Sequence, residues 1–303
     1  MLCDKKIIEN VKMPLVSIIM PTYNRKNVIK RAIDSCSRQS YENIEIVVCD
    51  DHSTDGTEEY IQELRKEETR IVYCKTPLGH KGANAARNEG IRIAKGKYIC
   101  FLDSDDEILE NGITDRVEVF EKNPKAGMVY GNAVCQKGNK RNPWIYRKVP
   151  TTFREARKDI LKELSVCAQC TIMVRTQVFA KIGLLNEEQK GWTDDGLVVA
   201  VGLRYPVLHS GKFIVIIHKS EECMTGNKWN LYQGLCVMLA RYKKEIISEV
   251  SIWRYFLWKV RLLSEFCYAK ETTSKSRLQQ NVWKKLHQGL RWFWRKNFIN
   301  GFE

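Results

Sequence analysis

The sequence predicts an α/β domain with a mostly parallel sheet, followed by a mostly helical extension. Three observations predict it. Apolar runs of strand length alternate with helical patterns from Leu15 to Asn132, as successive βαβ units require. Polar and acidic residues stand immediately after several of those runs, where an α/β sheet places its ligands. From Leu231 onward apolar residues recur at helical spacing.

Taken in order, the strands fall at residues 16–20, 44–49, 70–74, 98–102 and 127–130, each a short apolar run such as IEIVVC. Helices are expected between them, near residues 26–38, 56–66, 83–94 and 114–122. Asp55 is the expected N-cap of the second helix, because a short carboxylate accepts from the first free amides. Asn123-Pro124 ends the fourth, since proline disfavours a helical residue before it. Beyond this, residues 139–149 read as a loop and 153–164 as a helix. A short strand at 171–174 precedes a helix at 177–182, a helix spans 192–205, and a last buried strand lies at 213–217. Two units follow: a catalytic-type domain over residues 1–230 and a basic, aromatic, helical extension over 231–303.

Composition sets limits. The chain has 303 residues, 44% apolar and 28% charged, enough for a substantial core. No apolar run reaches the ~20 residues that span a bilayer. Residues 1–13 mix charged and apolar side chains without the apolar stretch of a signal peptide, so a cytoplasmic location is expected. Eleven cysteines, an odd number, argue for reduced thiols, and several lie inside apolar strands as small hydrophobes. Cys167 and Cys170 form a C-x-x-C with no second pair at zinc-site spacing, which favours packing.

The chemistry gathers after the strands. Pro21-Thr22-Tyr23-Asn24 follows the first, Asp50-Asp51-His52-Ser53 the second and Asp103-Ser104-Asp105-Asp106 the fourth. Crowded carboxylates repel one another unless a cation lies among them, and hard divalent ions bridge carboxylates to substrate phosphates. A solvated acidic loop is the competing reading. The first turn lacks the glycines of a dinucleotide-binding fingerprint, and Gly79-His80-Lys81-Gly82 lacks the ending of a P-loop. Tyr23 offers an aromatic face for a base, or packs in the core. Asp51 offers acceptors for the N–H of uracil.

The runs VSIIMPTYNR, IEIVVCDDHSTDGT, GANAARNEGIRIAKGKYICFLDSDD, TIMVRTQVFAKIGLLNEE and WTDDGLVVAVGLR resemble, in that order, a family 2 glycosyltransferase of the GT-A fold. The resemblance covers residues 15–218. It implies an inverting, metal-dependent transfer of a sugar from a nucleotide-sugar, UDP-linked by preference, to a hydroxyl of a glycan or lipid-linked saccharide. Pro21, Tyr23, Asn24 and Asp51 would line the base pocket, and Arg87 and Asn88 would organise the donor side. Asp103 and Ser104 would contact the donor, with Asp103 reaching the ribose or the metal's water shell. Asp105 would ligate Mn²⁺ or Mg²⁺. Asp194-Asp195 matches the family's acid pair, with Asp195 as the base and the shorter Asp194 where the family has Glu. A helix N-cap is the other reading of that pair. His218 would add a metal or diphosphate contact, although its spacing fits the family loosely. A nucleotide-binding module without turnover is the alternative function.

The extension carries most of the charge. Of the formal +14, +9 falls from Arg241 onward, with five of the eight tryptophans. On a helical wheel Val282, Trp283, Leu286, Leu290, Phe293 and Trp294 share one side, and Lys284, Lys285, Arg291, Arg295 and Lys296 the other. Such a helix suits the cytoplasmic face of an anionic membrane, or packs on the body or on a second copy of the chain as a homodimer. No nucleic-acid motif accompanies the charge, so a nucleic-acid partner is not expected.

Overall fold

The computed structural model describes residues 13–219, 227–274 and 276–299. Its centre is a single mixed sheet in the order β3-β2-β1-β4-β8-β6-β9-β5, with β7 hydrogen-bonded to β6 outside that path. The strands are β1 (Val16–Thr22), β2 (Ile44–Asp50), β3 (Ile71–Lys75), β4 (Tyr98–Phe101), β5 (Glu107–Ile108), β6 (Met128–Lys137), β7 (Lys140–Trp144), β8 (Met173–Arg175) and β9 (Val207–His218). β1 pairs in parallel with both β2 and β4, and β2 with β3; β8 runs antiparallel to β4. The chain leaves β1 toward β2 and β3, then returns across the sheet to β4 on β1's other side. That reversal opens a crevice beyond the carboxyl ends of β1 and β4.

β1 and β2 are buried along their whole length, which is why they read as near-continuous apolar runs instead of alternating ones. Alternate residues feed two cores. Val16, Ile18 and Met20 pack on one face with α1 (Ile29–Ser37), α2 (Thr57–Glu67) and α4 (Gly112–Lys122). Ile19, Val47 and Phe101 pack on the other with α3 (Ala83–Ile93), α5 (Phe153–Glu163) and α7 (Thr193–Gly202). α3 lies close on the sheet because of Gly90: a Cβ there would stand 2.5 Å from Ile19 Cγ2 and 2.9 Å from Cys49 Sγ.

The extension comprises α8 (Lys228–Arg241), α9 (Lys243–Glu249), α10 (Ile252–Thr273) and α11 (Arg277–Ile299). Leu235, Met238, Leu239, Trp258 and Phe298 share one core with Ile19 and Phe101, so these helices continue the hydrophobic interior of the α/β body. Trp258, 2% exposed, meets Trp192 edge-on at 5.9 Å and donates its indole N–H to the Lys162 carbonyl at 3.2 Å. Among the described residues no helix is long and apolar enough to cross a membrane.

Several expectations shift. Residues 140–144, expected in a loop, form β7, the second arm of a hairpin turned at Gly138 with φ +56°. Charged residues hid it, because this strand is exposed throughout and carries no apolar face. β6 and β9 are longer than their apolar cores, and the two-residue β5 had no periodicity to reveal it. The N-cap of α2 is Gly56, in the left-handed region; Asp55 still serves the helix start by accepting from the Thr57 amide at 3.0 Å.

Candidate active site

The turns after β1 and β2 are laced together. The Asn24 amide donates to Ser53 Oγ at 2.9 Å, and Asn24 Oδ1 accepts from the Thr54 amide at 2.8 Å. Lys26 adds its own amide to Asp55 Oδ2 at 3.2 Å. Asn24 and His52 take up positive φ, of 51° and 62°, to make the two sharp corners. On this ledge Pro21 is buried and Tyr23 is 56% exposed, so the ring is presented outward instead of packing in the core. Asp51 follows β2. Its carboxylate accepts from the Gly82 amide at 2.7 Å and the Thr76 hydroxyl at 3.0 Å, anchoring the segment that leads into α3. Each oxygen keeps lone-pair capacity for a further donor.

α3 delivers Arg87 from beneath. This arginine is 3% exposed, and its Nη2 donates to Asp103 Oδ1 at 2.7 Å while Nη1 reaches Asn84 Oδ1 at 3.3 Å. Its Nε has no partner. Asn88, one position on, faces elsewhere: its amide donates to the Leu185 carbonyl and Glu187 Oε1 and accepts from the Leu185 amide, all within 2.9 Å. The side chain is spent on holding the 185–187 segment against α3, so the structure does not bring it to the acidic turn.

The turn after β4 holds four residues in different environments. Asp103 and Asp105 are half-buried, whereas Ser104 and Asp106 are buried. Asp105 lies 3.6 Å from the Arg25 guanidinium, and its carbonyl accepts from Arg31. Burial, and then the charge of Asp103, raise the pKa of Asp105. The same two causes push Asp106 up to about 8, and its Oδ1 accepts the His218 amide at 2.9 Å. The ring of His218 pairs with Glu107 Oε1 at 2.7 Å, so this histidine borders the acidic turn without an ion pair to Asp105.

Among the described residues no three of His, Cys, Asp and Glu converge enough to hold an ion alone. The donor set fits a hard divalent ion in another way. Mg²⁺ and Mn²⁺ take one or two carboxylates and complete their shells with water and substrate phosphates. Asp103 and Asp105, whose mutual repulsion raises Asp105, supply such a pair.

α7 begins across the crevice. Trp192, at φ +56°, turns the chain into it, and Asp194 and Asp195 occupy its first turn. Asp194 Oδ1 accepts from the Asp195 amide at 3.2 Å. Burial raises both pKa values; Arg87 tempers Asp194, which also feels Asp103. Asp195 is 7% exposed; the Val166 amide and Ser165 donate to its carboxylate, while its Oδ1 has no hydrogen-bond partner. Other polar side chains near this region share that lack, among them the Trp192 indole N–H, the Tyr146 hydroxyl and both amide atoms of the buried Gln169. The turn carrying Gln169 also holds Cys170, close enough to Asp106, Asp103 and Asp194 to feel their charges. Cys167 and Cys170 are both buried free thiols.

Arg25, Arg31, Tyr146 and Gln169 were not singled out by sequence, and Asp106 was named only as part of the acidic run. Arg25 follows the first turn directly and could have been found from that position. Tyr146 and Gln169 lie in segments without motif or period.

The family model described as glycosyl transferase family 2 matches residues 17–183. A GalNAc(5)-diNAcBac-PP-undecaprenol beta-1,3-glucosyltransferase of Campylobacter jejuni is 33% identical over 150 residues, 49% of this chain and 48% of that protein. An Escherichia coli UDP-Glc:alpha-D-GlcNAc-diphosphoundecaprenol beta-1,3-glucosyltransferase, WfaP, is 42% identical over 125 residues, 41% of this chain and 48% of that protein. The chain thus matches about half the length of these relatives. Among solved structures, S. aureus TarS 1–349 in complex with UDP-GlcNAc superposes with a TM-score of 0.64 at 19% identity, covering 95% of this chain and 92% of that one. That likeness extends the shared fold into the C-terminal helices.

Proposed function

The chain belongs to glycosyl transferase family 2, with the GT-A fold, and from that premise we propose that it moves a sugar from a UDP-sugar to a hydroxyl of a lipid-linked saccharide, inverting the anomeric centre. One observation carries the proposal: Arg87 stands between the acidic turn after β4 and the acid pair of α7, pairing with Asp103 and acting on Asp194. Both acidic groups thereby lie within reach of one guanidinium, as the two halves of a displacement reaction would require. The relatives that act on undecaprenol-diphosphate saccharides, and the neighbour crystallised with UDP-GlcNAc, support the acceptor and donor classes.

Tyr23 would stack on the base, Asp51 would accept from its N–H, and Pro21 and Asn24 would shape the ledge. Asp105, with Asp103, would hold a divalent cation that neutralises charge on the departing diphosphate. Arg87 would keep Asp103 oriented. Opposite the leaving group, Asp195 would take the proton of the acceptor hydroxyl, with Asp194 in support; a raised pKa makes a buried carboxylate the stronger base. Ser104 would fix the turn from its buried place, and His218 would steady it through Asp106 and Glu107. The basic C-terminal helices would keep the enzyme peripheral, beside its acceptor at the cytoplasmic face of a membrane.

Transfer from UDP-sugars to an undecaprenol-diphosphate saccharide, assayed with and without Mn²⁺, tests the reading. Metal-dependent product supports it. Turnover unaffected by chelator would remove the metal role, and absence of product across a panel of nucleotide-sugars would remove the transferase role.

A further inference from the structure

α11 has three distinct sides. At about 100° per residue, Trp283, His287, Trp294 and Phe298 turn toward α10. There Trp283 meets Phe266 edge-on at 6.0 Å, Trp294 lies 5.9 Å from Trp258, and the His287 ring stacks on Tyr268 at 4.7 Å. The aromatic stripe expected from sequence is therefore divided: Trp283 and Trp294 are spent on packing, Leu290 is half-buried, and Val282, Leu286 and Phe293 look outward.

The outward side carries Leu278, Val282, Leu286 and Phe293, exposed by 75%, 50%, 47% and 41%. Trp292, 63% exposed, borders them. One such side chain on a surface is ordinary. Four in line on the outer face of the last helix form a contiguous apolar stripe.

The third side is a groove of about 810 Å³, lined by Lys284, Arg291, Arg295 and Lys296 together with Tyr268 and Glu271. Its four cations face one carboxylate, and among the described residues none of the four forms an ion pair. Arg291 Nε is buried without a hydrogen-bond partner. Arg261 of α10 pairs with Glu265 yet still feels the charges of Arg291 and Arg295. Like charges held together this way lower their energy when an anion with several acceptor oxygens enters. Around the helix the basic groove gives way to Trp292, then to the exposed Lys285 and Lys296 at the stripe's edge, and then to the apolar residues, an order that matches the layers of an anionic bilayer surface.

We propose that α11 docks the protein on an anionic phospholipid bilayer, with Leu278, Val282, Leu286 and Phe293 at the acyl boundary and the groove cations on lipid phosphates. This deepens the membrane-side reading of the acceptor and rests on it. Charge complementarity selects this occupant: a second copy of the chain would bring the same cations to the contact and repel.

The test is co-sedimentation of the full chain with vesicles of phosphatidylcholine, with and without phosphatidylglycerol. Partition should require phosphatidylglycerol and weaken at high salt. Arg291→Glu with Arg295→Glu should reduce it roughly tenfold or more, and Leu286→Glu with Phe293→Glu should reduce it comparably. UDP binding reports folding of each variant; if a glutamate pair lowers it, Leu286→Ser with Phe293→Ser takes its place. Equal partition to neutral vesicles, or variants that partition like the wild type, overturn the proposal. So does a dimer in light scattering that the Leu286/Phe293 variant dissociates while no vesicle binds, as does binding of inorganic pyrophosphate without partition. Partition is read without donor or acceptor, so its failure leaves the transferase reading standing. An inactive enzyme that still partitions would instead fault that reading alone.

Discussion

Arg87 Nη2 donates to Asp103 Oδ1 at 2.7 Å, joining the helix that lies on β1 to the acidic turn that follows β4. The arginine is 3% exposed, so a charge-assisted bond here acts in a poorly screened setting. Replacing Arg87 by Met leaves Asp103 without its partner and Asp194 without a tempering charge. Removing such a bond costs about 2 kcal/mol, so kcat/KM should fall roughly thirtyfold or more. Steady-state kinetics on the variant check this; rates within twofold of wild type would show that the pair is only structural.

Asp195→Asn should retain donor binding and lose transfer by a factor of about 10²–10⁴, the usual weight of a general base. Asp194→Asn should cost less. Calorimetric binding of UDP separates the two losses, and a reversed order would move the base to Asp194.

The pH profile carries the same assignment. Burial raises both carboxyls of the pair above the ordinary range, so each takes up its proton at higher pH than a free aspartate. The rate needs the ionised base, and kcat/KM should therefore fall as pH drops while still above the usual carboxylate range. An acid limb near pH 4 would contradict it.

Trp258 ties the extension to the start of α7 through Trp192, and it is one of the largest fully buried side chains among the described residues. Trp258→Ala should destabilise the protein by about 3–5 kcal/mol. Thermal unfolding measures the loss. A body that melts unchanged would show that the C-terminal helices fold as a separate unit.

Stability has its own pH signature away from the site. Arg70 grips Glu68 with two nitrogens, at 2.8 and 2.6 Å, and Ser37 adds a hydroxyl. The Arg70 hydrogen bonds hold Glu68 down at about 2, from an ordinary 4.5. A depressed folded-state value means the contribution is complete above the unfolded value and disappears as pH falls through the folded one. Glu68→Gln should cost about 1 kcal/mol near neutrality and flatten the loss of stability between about pH 5 and 2. Melting curves across that range decide it.

The parallel half of the sheet was legible in sequence because β1, β2 and β4 are buried on both faces and their apolar runs end at polar turns. The acidic turn was legible for the same reason, since its strand announced its place. β7 was hidden because an exposed strand such as KRNPW has no apolar face to show. Gly191 and Gly234 were silent as well. A Cβ on Gly234 would stand 2.1 Å from the Gly191 carbonyl oxygen, so α8 seats directly on the segment leading into α7, and only the folded chain brings those glycines together. Asn88 shows the limit of a motif: its place in A-R-N was readable, but its partners Leu185 and Glu187 lie about a hundred residues away.

The central claim is that Asp105, with Asp103, binds a nucleotide diphosphate through a divalent cation. Titration of UDP into wild type and Asp105→Ala, each with Mn²⁺ and with chelator, tests it most directly. The account predicts tight binding by the wild type with Mn²⁺, weak binding with chelator, and a variant whose weak binding does not respond to the metal. Equal Mn²⁺ dependence in both proteins would contradict it.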